Sequence, residues 1–144
     1  MTNSGSWIVP YKERINSALE SLLPDDDSIL TKAMRYSDLN GGKRLRPLLV
    51  YLSSELGNST SEAQDLVSSA VELIHCYSLI HDDLPSMDDD SLRRGLPTCH
   101  KKFGEAIAIL AGDAIQPMAY SLLTHSNEIE RSEERRVGKE CRSR

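Results

Sequence analysis

Aromatic residues are scarce. They make up 5% of the 144 residues, and Trp7 and Phe103 are each the sole member of their type, so a core built from this chain must be aliphatic. Basic charge is not in excess either. Against 22 Asp and Glu stand 17 Lys and Arg, a formal net charge of −5, which argues against nucleic acid as the main partner. No apolar run approaches the ~20 residues of a membrane span, and Met1 to Pro10 lacks a basic stretch followed by an apolar one. Neither a membrane anchor nor a secretory leader is therefore expected. Cysteine is confined to Cys76, Cys99 and Cys141, an odd number at wide spacing that implies no disulfide framework. A reduced, cytoplasmic compartment is the expectation. Runs alternating apolar and polar at period two are missing as well, which removes a half-buried sheet as the organising element.

What is present is helical periodicity. Hydrophobic residues are 39% and charged residues 27%, the balance of a folded globular chain of one domain. Ile15, Ala18, Leu19, Leu22 and Leu23 follow the i, i+3, i+4, i+7, i+8 spacing of one buried helix face, which Pro24 and Asp25-Asp26-Asp27 end. Ser28 is placed to cap the next helix, whose face is Ile29, Leu30, Ala33 and Met34, and Asn40-Gly41-Gly42 stops it. Pro47 suits the first turn of a third helix with the face Leu45, Leu48, Leu49, Leu52 and Leu56, leaving through Gly57-Asn58. Ser59 and Glu62 read as a capping box for a helix running to about Asp83, because Pro85 disfavours an α conformation at Leu84. A last apolar helix is expected from Phe103 to Thr124, through Ala106, Ile107, Leu110, Ala114 and Met118, kinked at Pro117. The fold class is all-α, a bundle of antiparallel helices with short turns.

Residues 131–144 change character. Val137 is their only aliphatic residue among six basic and three acidic side chains. The string resembles the in-frame translation of a sequencing adapter, so it is set aside as a non-native tail. Residues 1–130 then keep 11 basic and 19 acidic groups, a net charge of −8.

The chemistry concentrates in His81-Asp82-Asp83-Leu84-Pro85-Ser86-Met87-Asp88-Asp89-Asp90 and the Arg93-Arg94-Gly95 that follows. An Asp-rich run is most often a solvated loop. Here Leu84 and Met87 interrupt the acids, and oxygen-only ligands at a helix C-terminus suit hard Mg²⁺. Pro85 makes the chain bulge so that Asp88 returns to face Asp82. Lys43, Arg44 and Arg46 after Gly41-Gly42 add an anion site at a helix start; alone, they would be an ordinary charged turn. Arg44 after Lys43 excludes a nucleotide P-loop. Carboxylates for a metal and arginines for anionic oxygens are the parts needed to grip diphosphates. Two anion sites and one metal site point to two phosphorylated substrates. Cys76, His81, Cys99 and His100 lack the paired spacing of a zinc site.

Together these residues resemble the trans-isoprenyl diphosphate synthases. Asp82-Asp83-x4-Asp88 is similar to their first aspartate-rich motif in its bacterial, Pro-containing form. Met34-Arg35-Tyr36-Ser37 through Gly41-Gly42-Lys43-Arg44-Leu45-Arg46-Pro47 resembles their isopentenyl diphosphate segment, and Arg93 through Thr98-Cys99-His100 to Gly112-Asp113 continues the likeness across about residues 7–125. The resemblance implies the amino-terminal part of the isoprenoid synthase bundle and a head-to-tail condensation. Mg²⁺ on Asp82, Asp83 and Asp88 would clamp an allylic diphosphate, with Arg93 assisting its departure. Lys43, Arg46, His75 and Arg94 would hold isopentenyl diphosphate. A lone His on an apolar helix is usually a core residue, and only the resemblance gives His75 a role. Tyr77, five residues before Asp82, would close the prenyl pocket at a C15 product. The resemblance also implies a homodimer in the full-length parent.

Two readings from other classes compete: an HD-type metal phosphohydrolase, prompted by His81-Asp82, and a non-catalytic helical binding subunit. Within the family, a geranylgeranyl diphosphate synthase is the alternative product assignment. One departure matters more. No second aspartate-rich motif follows residue 113, so residues 1–130 read as a truncated portion, and the chain by itself is expected to be inactive.

Overall fold

The structure, a computed structural model, describes residues 6–124. The proposed tail of 131–144 and Cys141 lie outside the described residues. A 3₁₀ turn, Ser6–Ile8, leads into α1 (Val9–Leu22), followed by α2 (Ile29–Leu39), α3 (Leu45–Ser54) and α4 (Ser61–Asp82). A two-stranded hairpin, β1 (Leu92–Arg93) and β2 (Leu96–Pro97), precedes α5 (Cys99–Phe103) and α6 (Glu105–Thr124). The all-α class holds, with the hairpin as an addition that two-residue strands are too short to announce by alternation.

α1 ends before Pro24 as its pattern requires, burying Ile15 and Leu19. Its last carbonyls find a donor in Arg35, whose Nη1 reaches the oxygens of Glu20 and Leu23 at 3.3 Å, a favourable place for a cation. Ser28 caps α2, its hydroxyl accepting from the Thr31 amide at 3.1 Å. At α4 the cap sits one residue later than the capping-box reading. Thr60, not Ser59, accepts from the Ala63 amide, at 3.2 Å, while the Ser59 oxygens take the Gln64 side chain at 3.3 Å.

Two helix faces are rotated from expectation. On α3 the buried residues are Pro47, Leu48 and Tyr51, whereas Leu45, Leu49 and Leu56 are exposed. Tyr51 wins the interface because it anchors at both ends. Its hydroxyl donates to Asp65 of α4 at 2.7 Å, and the Arg14 guanidinium lies 4.6 Å from its ring centre. Ile29 of α2 is exposed too. A left-handed exit is expected at Gly57-Asn58, but among the described residues the positive-φ glycines are Gly41, Gly42, Gly95 and Gly104.

On α6 the buried stripe is Ala108, Ala111, Gly112, Ile115 and Ala119, not the bulkier residues expected. Small side chains let α4 and α2 approach closely. A Cβ on Gly112 would stand 2.2 Å from Nε2 of His81. Gly104, at φ +87°, separates α5 from α6, so the helix expected from Phe103 begins at Glu105, and the short α5 ahead of it is unexpected. α6 continues through Pro117. It is also long and apolar enough, at 20 residues, to cross a membrane by length and composition, against the expectation of no such run. Its packing on α4, α2 and α5 makes it a bundle helix.

The core joins Ile15, Leu19, Ala33, Met34, Tyr51, Leu73, Ile80 and the α6 stripe. α4 runs through it, carrying His75 to Asp83 from the groove beside α3 to the acidic loop.

Candidate anion groove and acidic loop

The Gly41–Arg46 turn owes its shape to backbone conformations that most residues avoid. Gly41 has φ +80° and Gly42 φ +133°, the region glycine enters without a Cβ penalty. Gly42 is also where the Arg94 guanidinium packs: a Cβ there would meet its Cζ at 2.8 Å. Arg94 Nη1 donates to the Gly41 carbonyl. Lys43 and Arg46 project to solvent on either side of Arg44.

An open groove of about 600 Å³ is lined by Gly42, Lys43, Arg46, His75, Arg93 and Arg94 among others. The five residues named for substrate binding from the sequence are thus brought to one surface. His75 is held below the ordinary imidazole range, first by burial and then by the Arg46 charge, with Arg94 and Arg93 adding to it and Glu72 opposing. The imidazole is therefore a neutral hydrogen-bonding group among cations.

Arg44 is the exception among the basic residues of the turn. It points inward, 4% exposed, and binds Glu72 Oε1 at 2.8 Å, the Asp38 carbonyl at 2.7 Å and Asn16 Oδ1 at 3.1 Å. Although it is among the groove-lining residues, its side chain is buried against Glu72 and Asn16. Asp38 lies beneath it, 1% exposed, with no hydrogen bond to either carboxylate oxygen. Burial pushes the Asp38 carboxyl up to about 6, Arg44 opposing. Neither Asp38 nor Glu72 was visible in the sequence as part of the site, because nothing about an isolated acid on an apolar helix marks it as buried.

The acidic loop does turn back on itself. The Asp88 amide donates to the Asp82 carbonyl at 2.8 Å, and the Met87 and Asp89 amides donate to Leu84 O at 2.9 and 3.1 Å. Beyond it, β1 and β2 pair Arg93 with Leu96 and Leu92 with Pro97. The two residues between, Arg94 and Gly95, have φ +55° and +80°, as a type I′ hairpin turn requires.

Asp83 and Arg93 pair with each other. Asp83 is 3% exposed, and Arg93 takes both of its oxygens, Nε lying 2.9 Å from each. Asp83 thus already has a cation. Asp89 pairs with Lys101 at 3.5 Å and Asp90 with Arg93 at 3.5 Å. Among the described residues, Asp82 and Asp88 have no ion-pair partner, and no three His, Cys, Asp or Glu side chains converge as a metal-binding group. Asp82 and Asp88, joined by a backbone hydrogen bond, carry carboxylates, the donor chemistry that suits a hard divalent cation. Asp83 as placed here does not complete the set.

Tyr77 is half-buried and meets His81 edge-on, with ring centres 5.6 Å apart. His81 turns from the acids toward α6, its Nε2 lying 3.2 Å from the Ile109 carbonyl oxygen and 3.8 Å from Asp113. Cys76 and Cys99 are buried free thiols, and burial raises both above the usual thiol range.

The helical scaffold thus sets a polycationic groove beside an acidic loop. A family model for polyprenyl synthetase matches residues 27–137, and the chain belongs to that family. It is 54% identical over 115 residues to farnesyl diphosphate synthase of Escherichia coli, covering 80% of this chain and 38% of that one. It is 49% identical to the heterodimeric geranylgeranyl pyrophosphate synthase large subunit 1 of Arabidopsis thaliana, covering 82% and 32%. The crystal structure of an FPP/GFPP synthase from Zymomonas mobilis superposes with a TM-score of 0.83 at 42% identity, over 94% of this chain and 50% of that one. Against the first curated relatives, the chain spans about two fifths of their length.

Proposed function

We propose that residues 1–130 are the amino-terminal portion of a Mg²⁺-dependent prenyltransferase of isoprenoid biosynthesis. The parent enzyme would join isopentenyl diphosphate head to tail to dimethylallyl or geranyl diphosphate, yielding farnesyl diphosphate. The observation that carries this reading is the convergence of Lys43, Arg46, His75 and Arg94 on one groove beside the acidic loop. The names of the relatives agree with it.

In this reading Lys43, Arg46 and Arg94 bind the diphosphate of isopentenyl diphosphate, and neutral His75 donates a hydrogen bond to it. Asp82 and Asp88 would hold the metal, whose chemistry is to neutralise the allylic diphosphate as it leaves. Arg93 orders Asp83 and sets a positive charge beside the acidic loop, which favours the same leaving group. Positioning and electrostatics supply the rate. Tyr77 closes the hydrocarbon pocket at fifteen carbons; without that ring, the geranylgeranyl product would follow.

The 144-residue chain is inactive in this reading, because no second acidic motif is present to complete the metal cluster. Residues 131–144 are non-native, although the family match reaches residue 137; native codons in the parent DNA beyond position 130 would overturn that. The parent is a homodimer working in a reduced, cytoplasmic compartment. Allylic-dependent incorporation of labelled isopentenyl diphosphate by the parent enzyme tests the function. Phosphate release from a phosphoester would instead reveal a hydrolase, and neither activity a binding subunit. Prenyl transfer by the 144-residue chain would refute its inactivity.

A further inference from the structure

We propose that Arg44 is a positioning residue: its buried guanidinium holds the Gly41–Arg46 turn in the shape that presents Lys43 and Arg46 to one anion. The proposal rests on the groove reading above and extends it to a residue that never touches the ligand.

Arg44 has φ +52°, a left-handed conformation that a residue with a Cβ occupies only when its surroundings over-determine it. Here the surroundings are three different helices. Nε donates to Asn16 of α1 at 3.1 Å, Nη1 to Glu72 of α4 at 2.8 Å and Nη2 to the carbonyl of Asp38 in α2 at 2.7 Å. The Glu72 carboxylate is itself 3% exposed, so the pair is taken out of water and held by hydrogen bonds as well as charge.

The backbone consequence is local. Arg44 is the cap residue of α3, its carbonyl accepting the first helical amide, from Leu48, at 3.1 Å. With Arg44 drawn inward, Lys43 and Arg46 emerge on the groove side, where His75 and Arg94 also line the wall. Three acceptors arranged around a planar fork suit guanidinium and not ammonium, which is a point charge. The same contacts pair the Arg44 charge with Glu72 at the groove wall.

The test measures binding of inorganic pyrophosphate to the 144-residue chain by calorimetry, together with amide hydrogen exchange, in the wild type, Asn16→Ala and Arg44→Lys. Asn16→Ala removes one prong at the rim and spares the buried ion pair, so it keeps the fold intact. Pyrophosphate affinity is expected to fall roughly threefold in Asn16→Ala and roughly tenfold or more in Arg44→Lys, the scale of one and of several lost hydrogen bonds. Exchange should accelerate at the hydrogen-bonded amides of Gly41 and Leu48, bonded to Leu39 O at 2.7 Å and to Arg44 O at 3.1 Å, while Leu73 in α4 stays protected. Unchanged affinity in both folded variants overturns the proposal. So does a loss of protection spread evenly over α4, which would mark a purely structural pair. Failure of the wild type to bind pyrophosphate overturns the groove reading instead. Exchange then judges Arg44 alone: acceleration confined to the turn supports its role, and none overturns it.

Discussion

Arg93 grips Asp83 with its Nε equidistant from the two carboxylate oxygens, 2.9 Å from each. The acid is 3% exposed and the base is half-buried. Removing the base strands a charge that cannot reach water. Arg93→Ala should therefore destabilise the chain by about 2 kcal/mol. Adding Asp83→Asn should recover part of that loss, and a double-mutant cycle from urea titrations measures the coupling. Additive effects of the two substitutions would refute it.

Gly41 and Gly42 share a left-handed backbone but not a neighbourhood. Gly41→Ala meets nothing within 4 Å and is strained only by its φ of +80°, at a cost of about 1 kcal/mol. Gly42→Ala carries that strain and also collides with the Arg94 guanidinium. The second substitution should cost more stability and should weaken pyrophosphate binding, because the displaced side chain lines the groove. Equal melting temperatures for the two variants would count against the close packing.

His81 occupies space that only glycine can leave free on α6. Gly112→Ala should lower stability by roughly 1–3 kcal/mol through overpacking. His81→Ala in the same chain should relieve most of it. Thermal melts of the single and double variants decide.

The carboxyl of Asp38 rises from the ordinary aspartate value of 3.8 to about 6 in the fold, chiefly through burial. The native state thus binds this proton more tightly than the unfolded chain does. Its contribution to stability is full below about pH 4, is lost as pH climbs toward 6, and is flat above that. Urea midpoints between pH 4 and 7 should show this downward component, and Asp38→Asn should remove it.

In the parent enzyme, Tyr77→Ala is expected to shift the product from fifteen carbons to longer chains. Chromatography of the reaction products checks this, and an unchanged C15 product would refute the assignment.

Much of this arrangement is legible residue by residue, and the failures have physical causes. Ser28 announces α2 because a cap needs only its own side chain and one amide. The face of α3 is not legible, because five leucines offer two equally apolar faces and the choice falls to Tyr51, whose partners Asp65 and Arg14 are distant in sequence. α6 misleads for the opposite reason: alanine and glycine carry little hydrophobic signal yet permit the closest helix contact. In the groove, Lys43, Arg46 and Arg94 could be named from motif and charge. Charge alone could not tell Arg44 from them, since its inward turn depends on Glu72 and Asn16. The pairing of Asp83 with Arg93 could not be read, because it spans a ten-residue excursion of the chain.

α4 carries both His75 and Asp82 on one unbroken helix. Seven residues are nearly two full turns, so the two positions share a face about 10 Å apart along the axis. The helix therefore acts as a measuring rod between groove and acidic loop, set by backbone pitch and not by loop motion. Inserting one residue between positions 75 and 82 would turn the two ends about 100° out of alignment, while leaving every side chain of both sites present.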